Sequence, residues 1–429
     1  MAQTDRLPYN ESKQKGDMVM MIDKLKPHLL MLLTQDLQSP SGLGRYFPLA
    51  KYLVRDGCKV TILALHSNFV NIKESSFEQE GVEVHYVAQM HVRKSGNRTY
   101  YFSPIKLIST SIKAMIALYR EGAKENADLI FVGKPHPMNG LAGLWLARRK
   151  AKPLIVDCDD FESESNRTNG KWQKKVLAFF ERNLPKKANL VTTNTFFMRD
   201  RMILQGVEEK KIVYLPNGVD TERFSEPSPV RVSQLRTELS LEGKRVIGYY
   251  GSLNLANHPV DLLIRSFKLV TEKIDGVILL IVGGGKDLDH LQELSEELGL
   301  KDKVVFTGRV KSDEMNIYYR LADVSVDPVN DTLADRGRCP LKIFESWQMG
   351  VPVVTSDVGD RKMLAGSPSA ALLTKSGDET SMAEQFIKAL SDDFLLLNLS
   401  KRAKFRSLSF SWAVLAKRAK EKINSLSFE

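Results

Sequence analysis

Lys342 and Glu345 stand three residues apart in CPLKIFESWQMGVPVVTSDVGD, residues 339–360, so on a helix they share one face. Pro340 suits the first helical turn and Gly350 the left-handed position that ends a helix, which makes the stretch between them a short helix. The β-branched run VPVVT that follows reads as a buried, central parallel strand. A cation, a carboxylate and the free N–H groups of a helix start then lie together. A nucleoside diphosphate suits such a place.

Other residues could do chemistry at strand ends. Ser41-Gly42-Leu43-Gly44 follows an apolar strand and leads into a helix, so Gly42 and Gly44 would let backbone approach a phosphate or sugar closely, with Arg45 adding a charge. A tight turn without a ligand is the plainer reading of the same glycines. Gly283-Gly284-Gly285, followed by Lys286, also ends a strand and could receive a diphosphate. Asp157, Asp159 and Asp160 cluster at the end of PLIVDCDDF, where alternation puts Asp157 and Asp159 on one side. Either could orient or deprotonate a hydroxyl, and Asp160 fits a helix cap. His136, beside Lys134 in GKPHPMNG, is a second candidate base. The Asp-x-Asp string also has the oxygen ligands of a Mn²⁺ or Mg²⁺ site.

These segments need a scaffold that brings strand ends together. The apolar runs PHLLMLLTQ, KVTILAL, VEVHYV, DLIFVG, PLIVDCD and ANLVTTN alternate with helical stretches from Arg45 to Asp56 and over SPIKLISTSIKAMIALYREGAK, where Ile105, Ile108, Ile112, Met115 and Tyr119 form an apolar stripe. Turn formers at Leu215–Asp220 and a polar stretch to about Val232 interrupt the series. A second one then runs through KRVIGYYGS, GVILLIVGGG, KVVFTGRV, ADVSVDPV and VPVVTSD. The fold class expected is α/β, with two Rossmann-like doubly wound domains and a cleft between them. The expected boundaries are a mobile leader at 1–26, a first domain at 27–216, a second at 217–400, and a basic helical segment at 401–429.

A chain of 429 residues suits two such domains. The net charge of +10 is uneven: residues 1–220 hold 33 Lys+Arg against 23 Asp+Glu, and residues 401–429 hold 8 against 2. An anionic partner is implied for the first domain. Cys58, Cys158 and Cys339 lack metal-like spacing, and no signal peptide or membrane-spanning run is evident, so a cytoplasmic setting is expected. Aromatics among basic residues, Trp145 with Arg148, Arg149 and Lys150, and Trp172, Phe179 and Phe180 with Lys174, Lys175, Lys186 and Lys187, suit an anionic membrane surface. No nucleic-acid motif accompanies them.

The order SGLGRY, LPNGVD, IGYYGSLN, IVGGG, FTGRV and the Lys342–Glu345 helix resembles family 4 of the glycosyltransferases, retaining enzymes of the two-lobed GT-B fold, over roughly Leu29 to Lys420. The resemblance implies a nucleoside diphosphate sugar as donor, a glycan or lipid-linked hydroxyl acceptor, and no metal or other cofactor. It implies that the final helix crosses back to the first domain. It places Glu345 on the ribose hydroxyls, Arg309 and Val310 at the nucleobase, and Gly284 near the nucleotide.

Three positions depart from the family pattern. Gly337 stands where the first of two glutamates is usual, Ser252 where an arginine neutralises the donor phosphate, and Asp159 where a histidine is common. His258 lies near the place of the family's phosphate-binding lysine. Lys342 and Arg338 are then the candidates to neutralise the leaving diphosphate, with Asp335 or backbone left to hold the sugar. The reading is a retaining, metal-independent hexosyltransferase working by front-side displacement. A catalytically degenerate binding protein and a nucleotide-sugar epimerase of the same fold are its alternatives.

Overall fold

The computed structural model describes residues 26–95, 98–165 and 170–426. The proposed leader falls, up to residue 25, outside them. The first sheet holds β1 (His28–Leu33), β2 (Lys59–His66), β3 (Ser76–Gln79), β4 (Val82–Gln89), β7 (Leu129–Gly133), β8 (Leu154–Cys158), β9 (Leu190–Thr193) and β10 (Ile212–Tyr214), and β5 (Val92–Ser95) pairs with β6 (Arg98–Tyr101) as a separate hairpin. The sheet order is β10-β9-β8-β7-β1-β2-β4-β3, parallel except for the β3 edge. β1, β7 and β8 are buried along their whole length, as their continuous apolar runs require.

The second sheet runs β13-β12-β11-β14-β15-β16, all parallel, with β11 (Arg245–Tyr250), β12 (Val277–Val282), β13 (Val304–Gly308), β14 (Val324–Asp327), β15 (Val353–Ser356) and β16 (Ala371–Thr374). VPVVT forms β15, inside this sheet. The fold is thus α/β with two Rossmann-like domains. In each sheet the strand order reverses once, between β1 and β7 and between β11 and β14. Ligands of open parallel sheets bind outside the carboxyl ends of the strands at such points.

Two stretches of chain join the domains and lie side by side. Val219 N–H donates to Phe410 O at 2.9 Å, and Trp412 N–H donates to Val219 O at 3.0 Å. A Cβ on Gly218 would stand 2.4 Å from Phe410 O, so only glycine allows this approach. The helix Asp393–Ser407 packs on the second-domain helix Leu341–Gln348, and the helix Trp412–Leu426 packs on Phe47–Arg55 of the first domain. The crossing therefore falls at residues 408–412, beyond the expected boundary at 401. Trp412 is buried in the first domain's core, and its Nε1–H donates to Gly44 O at 2.9 Å.

The helix Pro104–Lys124 departs from expectation. Its core face is Ala114, Leu118 and Gly122, while Ile105, Ile108 and Ile112 are exposed and Met115 and Tyr119 half-buried. Gly122 lets this face lie close to its neighbour: a Cβ there would stand 2.6 Å from Leu146 Cδ1. Among the described residues no helix is long and apolar enough to cross a membrane.

Candidate active site between the two domains

The helix Leu341–Gln348 buries Ile343, Phe344 and Trp347 and ends at Gly350, whose φ is +72°. Pro340 sits just ahead of it, at the cap. Lys342 and Glu345 therefore project from the face away from this core. Lys342 Nζ lies 4.5 Å from the centre of the Tyr249 ring and 3.5 Å from Asp327 Oδ1, yet makes no hydrogen bond among the described residues. Arg361, itself buried, holds Asp327 Oδ2 at 2.8 Å. Arg338 Nη1 donates to Asn257 O at 2.8 Å and to Asp335 Oδ1 at 3.0 Å.

Three cations thus share this pocket with two carboxylates. Burial opposes the charge of Asp327, but Arg361 and Lys342 outweigh it and hold the carboxyl down at about 2. Burial pushes Lys342 below the usual lysine range, with Arg338 adding to the effect and Asp327 opposing it. His258 is pushed well down by burial and by Lys342 and Arg338, so it stands neutral among them. Such a pocket carries an excess of positive charge. An anion would relieve it.

The loops after β11, β12 and β13 close over the same end of the sheet. Gly283, at φ +147°, lies so close to the first of them that a Cβ would stand 1.8 Å from Gly251 O. Leu253 N–H donates to Gly284 O at 3.2 Å, and Gly283 N–H to Gly308 O at 2.9 Å. Ser252 is exposed, and its carbonyl accepts from Tyr249 Oη at 2.8 Å. Arg309 is exposed at the end of β13, and Val310 is half-buried in the cluster that contains Tyr319. Glu345 accepts a hydrogen bond from Tyr319 Oη at 2.8 Å, which fixes its carboxylate beside this group.

The first domain contributes a second constellation. Lys134, in the left-handed backbone region at φ +66°, directs Nζ at Asp159 Oδ1, Asp160 Oδ2 and Glu162 Oε1, at 3.1, 2.8 and 2.6 Å. Asn139 Nδ2 donates to Gly133 O at 2.7 Å and to Lys134 O at 3.2 Å, which secures the turn. His136 has Nε2 at 2.8 Å from Glu162 Oε2 and Nδ1 at 3.1 Å from Thr34 Oγ1. Burial pushes the Asp159 carboxyl up to about 8, with Lys134 opposing and the neighbouring carboxylates adding. Burial also opposes the Glu162 charge, but Lys134 and His136 hold that carboxyl well below its usual range. The oxygens of Asp159, Asp160 and Glu162 lie within 4.8 Å of one another. The Lys134 ammonium pairs with all three, so this set suits an internal cation better than a divalent ion.

Asp157 and Asp160 take other partners than alternation or capping suggests. Asp157 is claimed by Arg45 and Thr192, and Asp160 by Lys134. Arg45 is buried and also reaches Asn217 Oδ1 at 3.0 Å, while Asn217 Nδ2 donates to Cys339 O at 2.6 Å. This chain of contacts joins the first domain, the connecting segment and the start of the Lys342 helix. Gly44 completes the join, since a Cβ there would stand 2.2 Å from Leu341 Cδ1. A Cβ on Gly42 would stand 2.4 Å from Asp36 O. At Gly337 a Cβ would sit 3.2 Å from Phe161 Cβ and 3.3 Å from Met198 Sδ of the first domain, so a larger side chain is crowded there.

The sequence reading overlooked Glu162, Asp327, Arg361 and Tyr319. Asp327 and Arg361 are 34 residues apart and meet only because β14 ends beside the helix that follows β15. Glu162 carried one signal, its place just past the Asp159–Asp160 strand end.

A sequence profile described as Glycosyltransferase Family 4 matches residues 42–223, and one described as Glycosyl transferases group 1 matches residues 244–392. The chain is 31% identical over 198 residues to a GDP-mannose-dependent alpha-(1-6)-phosphatidylinositol monomannoside mannosyltransferase of Mycobacterium tuberculosis, covering 46% of this chain and 49% of that one. It is 26% identical over 272 residues to a D-inositol 3-phosphate glycosyltransferase of Corynebacterium jeikeium, covering 61% of each. It thus spans about half the length of the first relative and 61% of the second. In fold it is similar to sucrose-phosphate synthase of Thermosynechococcus elongatus, at TM-score 0.74 and 18% identity over 94% of this chain and 99% of that one. It is also similar to Anabaena HepE in complex with UDP, at TM-score 0.69 and 18% identity over 93% and 100%. The two profiles adjoin along the chain and fall one on each sheet, and with the two-domain architecture they lead to one conclusion: the chain belongs to glycosyltransferase family 4, with the GT-B fold.

Proposed function

We propose that this chain transfers a glycosyl group from a nucleoside diphosphate sugar to a hydroxyl acceptor, a glycan or a lipid-linked sugar, with retention at the anomeric carbon. The observation that carries the reading is Lys342, a nearly buried ammonium that makes no hydrogen bond among the described residues and lies in a cluster of excess positive charge. A buried charge held only by a long ion pair is costly, and a diphosphate would supply closer acceptors. The mycobacterial relative is named for GDP-mannose and HepE was solved with UDP, which supports a nucleoside diphosphate donor.

In the proposed reaction the bond from the anomeric carbon to the β-phosphate oxygen breaks, and its electron pair leaves with the diphosphate. Lys342 and Arg338 stabilise that charge as it develops. The acceptor oxygen forms the new bond on the same face, and its proton passes to the departing phosphate. Asp159 orients the acceptor hydroxyl, and His136, held by Glu162 and Thr34, lies behind it. Glu345 holds the ribose, with Arg309 and Val310 at the base, and the backbone of Gly42, Gly44, Ser252 and Gly284 lies around the diphosphate and sugar. Lys134, rather than a metal ion, is the cation paired with Asp159, Asp160 and Glu162. The proposed setting is the cytoplasm, where the three buried thiols stay reduced.

The test is incubation of the purified chain with UDP-, GDP- and ADP-sugars, with and without membrane extract, following nucleoside diphosphate release. Release that needs one donor and rises with extract is expected. Binding without release from any donor would replace this reading by a non-catalytic one. Isomerisation of the donor without acceptor would point to an epimerase.

A further inference from the structure

The outer face of the helix Pro104–Lys124 carries an apolar stripe that nothing among the described residues covers. Ile105, Ile108, Ile112 and Ile116 are spaced by three and four residues and are all exposed, Ile105 at 84%. At 3.6 residues per turn they fall within one narrow arc. Lys106, Lys113 and Arg120, seven residues apart, form a row along one edge of that arc and are exposed as well. The helix therefore has three faces: an Ala114–Leu118–Gly122 face toward the core, an isoleucine face toward solvent and a basic edge between them. Beside it stand Val70, 88% exposed, and Tyr100 and Tyr101 of the β5–β6 hairpin.

A cleft of about 280 Å³ opens on the basic edge, lined by Asn68, Asn71, Gln89, Arg93, Lys106 and Thr110, with Val70 and Phe102 at its sides. Its floor is built. Gln89 Nε2 donates to Ser67 O, Met90 O and Val92 O, and Gln89 Oε1 accepts from Phe69 N–H at 3.2 Å. Arg93 and Lys106 supply positive charge to the cleft, and among the described residues no acidic side chain lines it.

We propose that this face docks on the surface of a membrane containing anionic phospholipid, with the isoleucine stripe entering the boundary between headgroups and acyl chains and a lipid phosphate held in the cleft by Arg93 and Lys106. Apolar side chains in an arc edged by cations suit the interface, where the stripe leaves water while the cations stay beside the phosphates. The charge fits too: the first domain, including the region of this helix, holds the chain's excess of basic residues. Vesicle binding can be read without donor or acceptor, so the proposal stands apart from the sugar-transfer reading.

The experiment is co-sedimentation of the full chain with vesicles of phosphatidylcholine alone or mixed with phosphatidylglycerol. Binding to the mixed vesicles is expected, falling roughly tenfold or more in the exposed-site variant I105S/I108S/I112S, whose thermal midpoint should match the wild type. R93A/K106A should lose the preference for the anionic vesicles. No binding to either vesicle, or full binding by the isoleucine variant, would overturn the proposal. Loss of binding in K174Q/K175Q/K186Q/K187Q with retention in the isoleucine variant would move the contact to the helix Lys171–Asn183. Calorimetric binding of inorganic phosphate without vesicle binding would make the cleft a site for a soluble phosphate. A dimer in sedimentation velocity that the isoleucine variant dissolves would make the face a contact between two copies.

Discussion

Arg45 and Asp157 form a fully buried bidentate ion pair, with Nε 2.7 Å from Oδ2 and Nη2 2.6 Å from Oδ1, at the point where the first domain meets the connecting segment. The free Nη1 donates to Leu215 O and Asn217 Oδ1, so one guanidinium orders a strand end and the start of the crossing together. A buried pair of this kind gives little net stability over an apolar substitute, but it cannot lose one partner cheaply. R45L should therefore destabilise the chain by about 3–5 kcal/mol, because Asp157 is left charged without its cation. Urea unfolding followed by tryptophan fluorescence would measure it, and a change under about 1 kcal/mol would contradict the account.

Lys342 is expected to act on charge that develops during the reaction. K342M should lower kcat by about 100-fold, the usual effect of losing one such donor, and weaken binding of a nucleoside diphosphate far more than of the nucleoside. Calorimetry with both ligands separates these effects. Equal loss for both would assign Lys342 to the nucleoside instead.

Glu345, aligned by Tyr319, is expected to hold the ribose. E345A should weaken nucleotide binding by about 1–3 kcal/mol, the range for losing hydrogen bonds to a charged group. Unchanged affinity would remove it from the ribose. Y319F tests the alignment, with a smaller loss expected.

Gly218 makes a stronger prediction than Gly44. A Cβ at Gly44 would meet the end of the flexible Leu341 side chain, which can turn aside, whereas one at Gly218 would meet the Phe410 carbonyl of a paired backbone. G218A should cost about 1–3 kcal/mol through overpacking and break the Val219–Phe410 hydrogen bond. G44A should cost less. Hydrogen exchange at the Val219 and Trp412 amides would report the broken pairing directly.

The two buried aspartates predict opposite pH dependence. Asp159 is pushed up to about 8, so between about 4 and 8 it holds a proton in the folded chain that it lacks in the unfolded one. Its contribution to stability is present at low pH and is lost as the pH rises through about 8. Asp327 is held down at about 2, so its contribution is present above about 4 and is lost as the pH falls toward 2. Replacing Asp159 by Asn removes that proton uptake, so the variant should gain stability relative to the wild type progressively from about pH 4 to about pH 8, with a larger gain at pH 8 than at pH 6. Thermal midpoints at the two pH values check it. A rise in the transfer rate through about pH 8 that D159N abolishes would tie the same group to the acceptor.

The sequence by itself determined the central strands of both sheets, because a strand buried on both faces is apolar along its length, as LLMLL, LIFVG and VILLIV are. It also determined that Lys342 and Glu345 leave one face of a short helix, since three-residue spacing and an end at Gly350 depend only on local geometry. Tertiary structure decided which charges meet. Arg45 with Asp157, Lys134 with Glu162 and Arg361 with Asp327 are far apart along the chain, and several other acidic groups lie at strand ends where a sequence would allow a partner. It also decided the direction of the helix Pro104–Lys124. The periodicity of Ile105, Ile108 and Ile112 shows that they share a face, but the face with Ala114, Leu118 and Gly122 turns inward, with Gly122 allowing the close approach of the next helix, and the isoleucines are left outside.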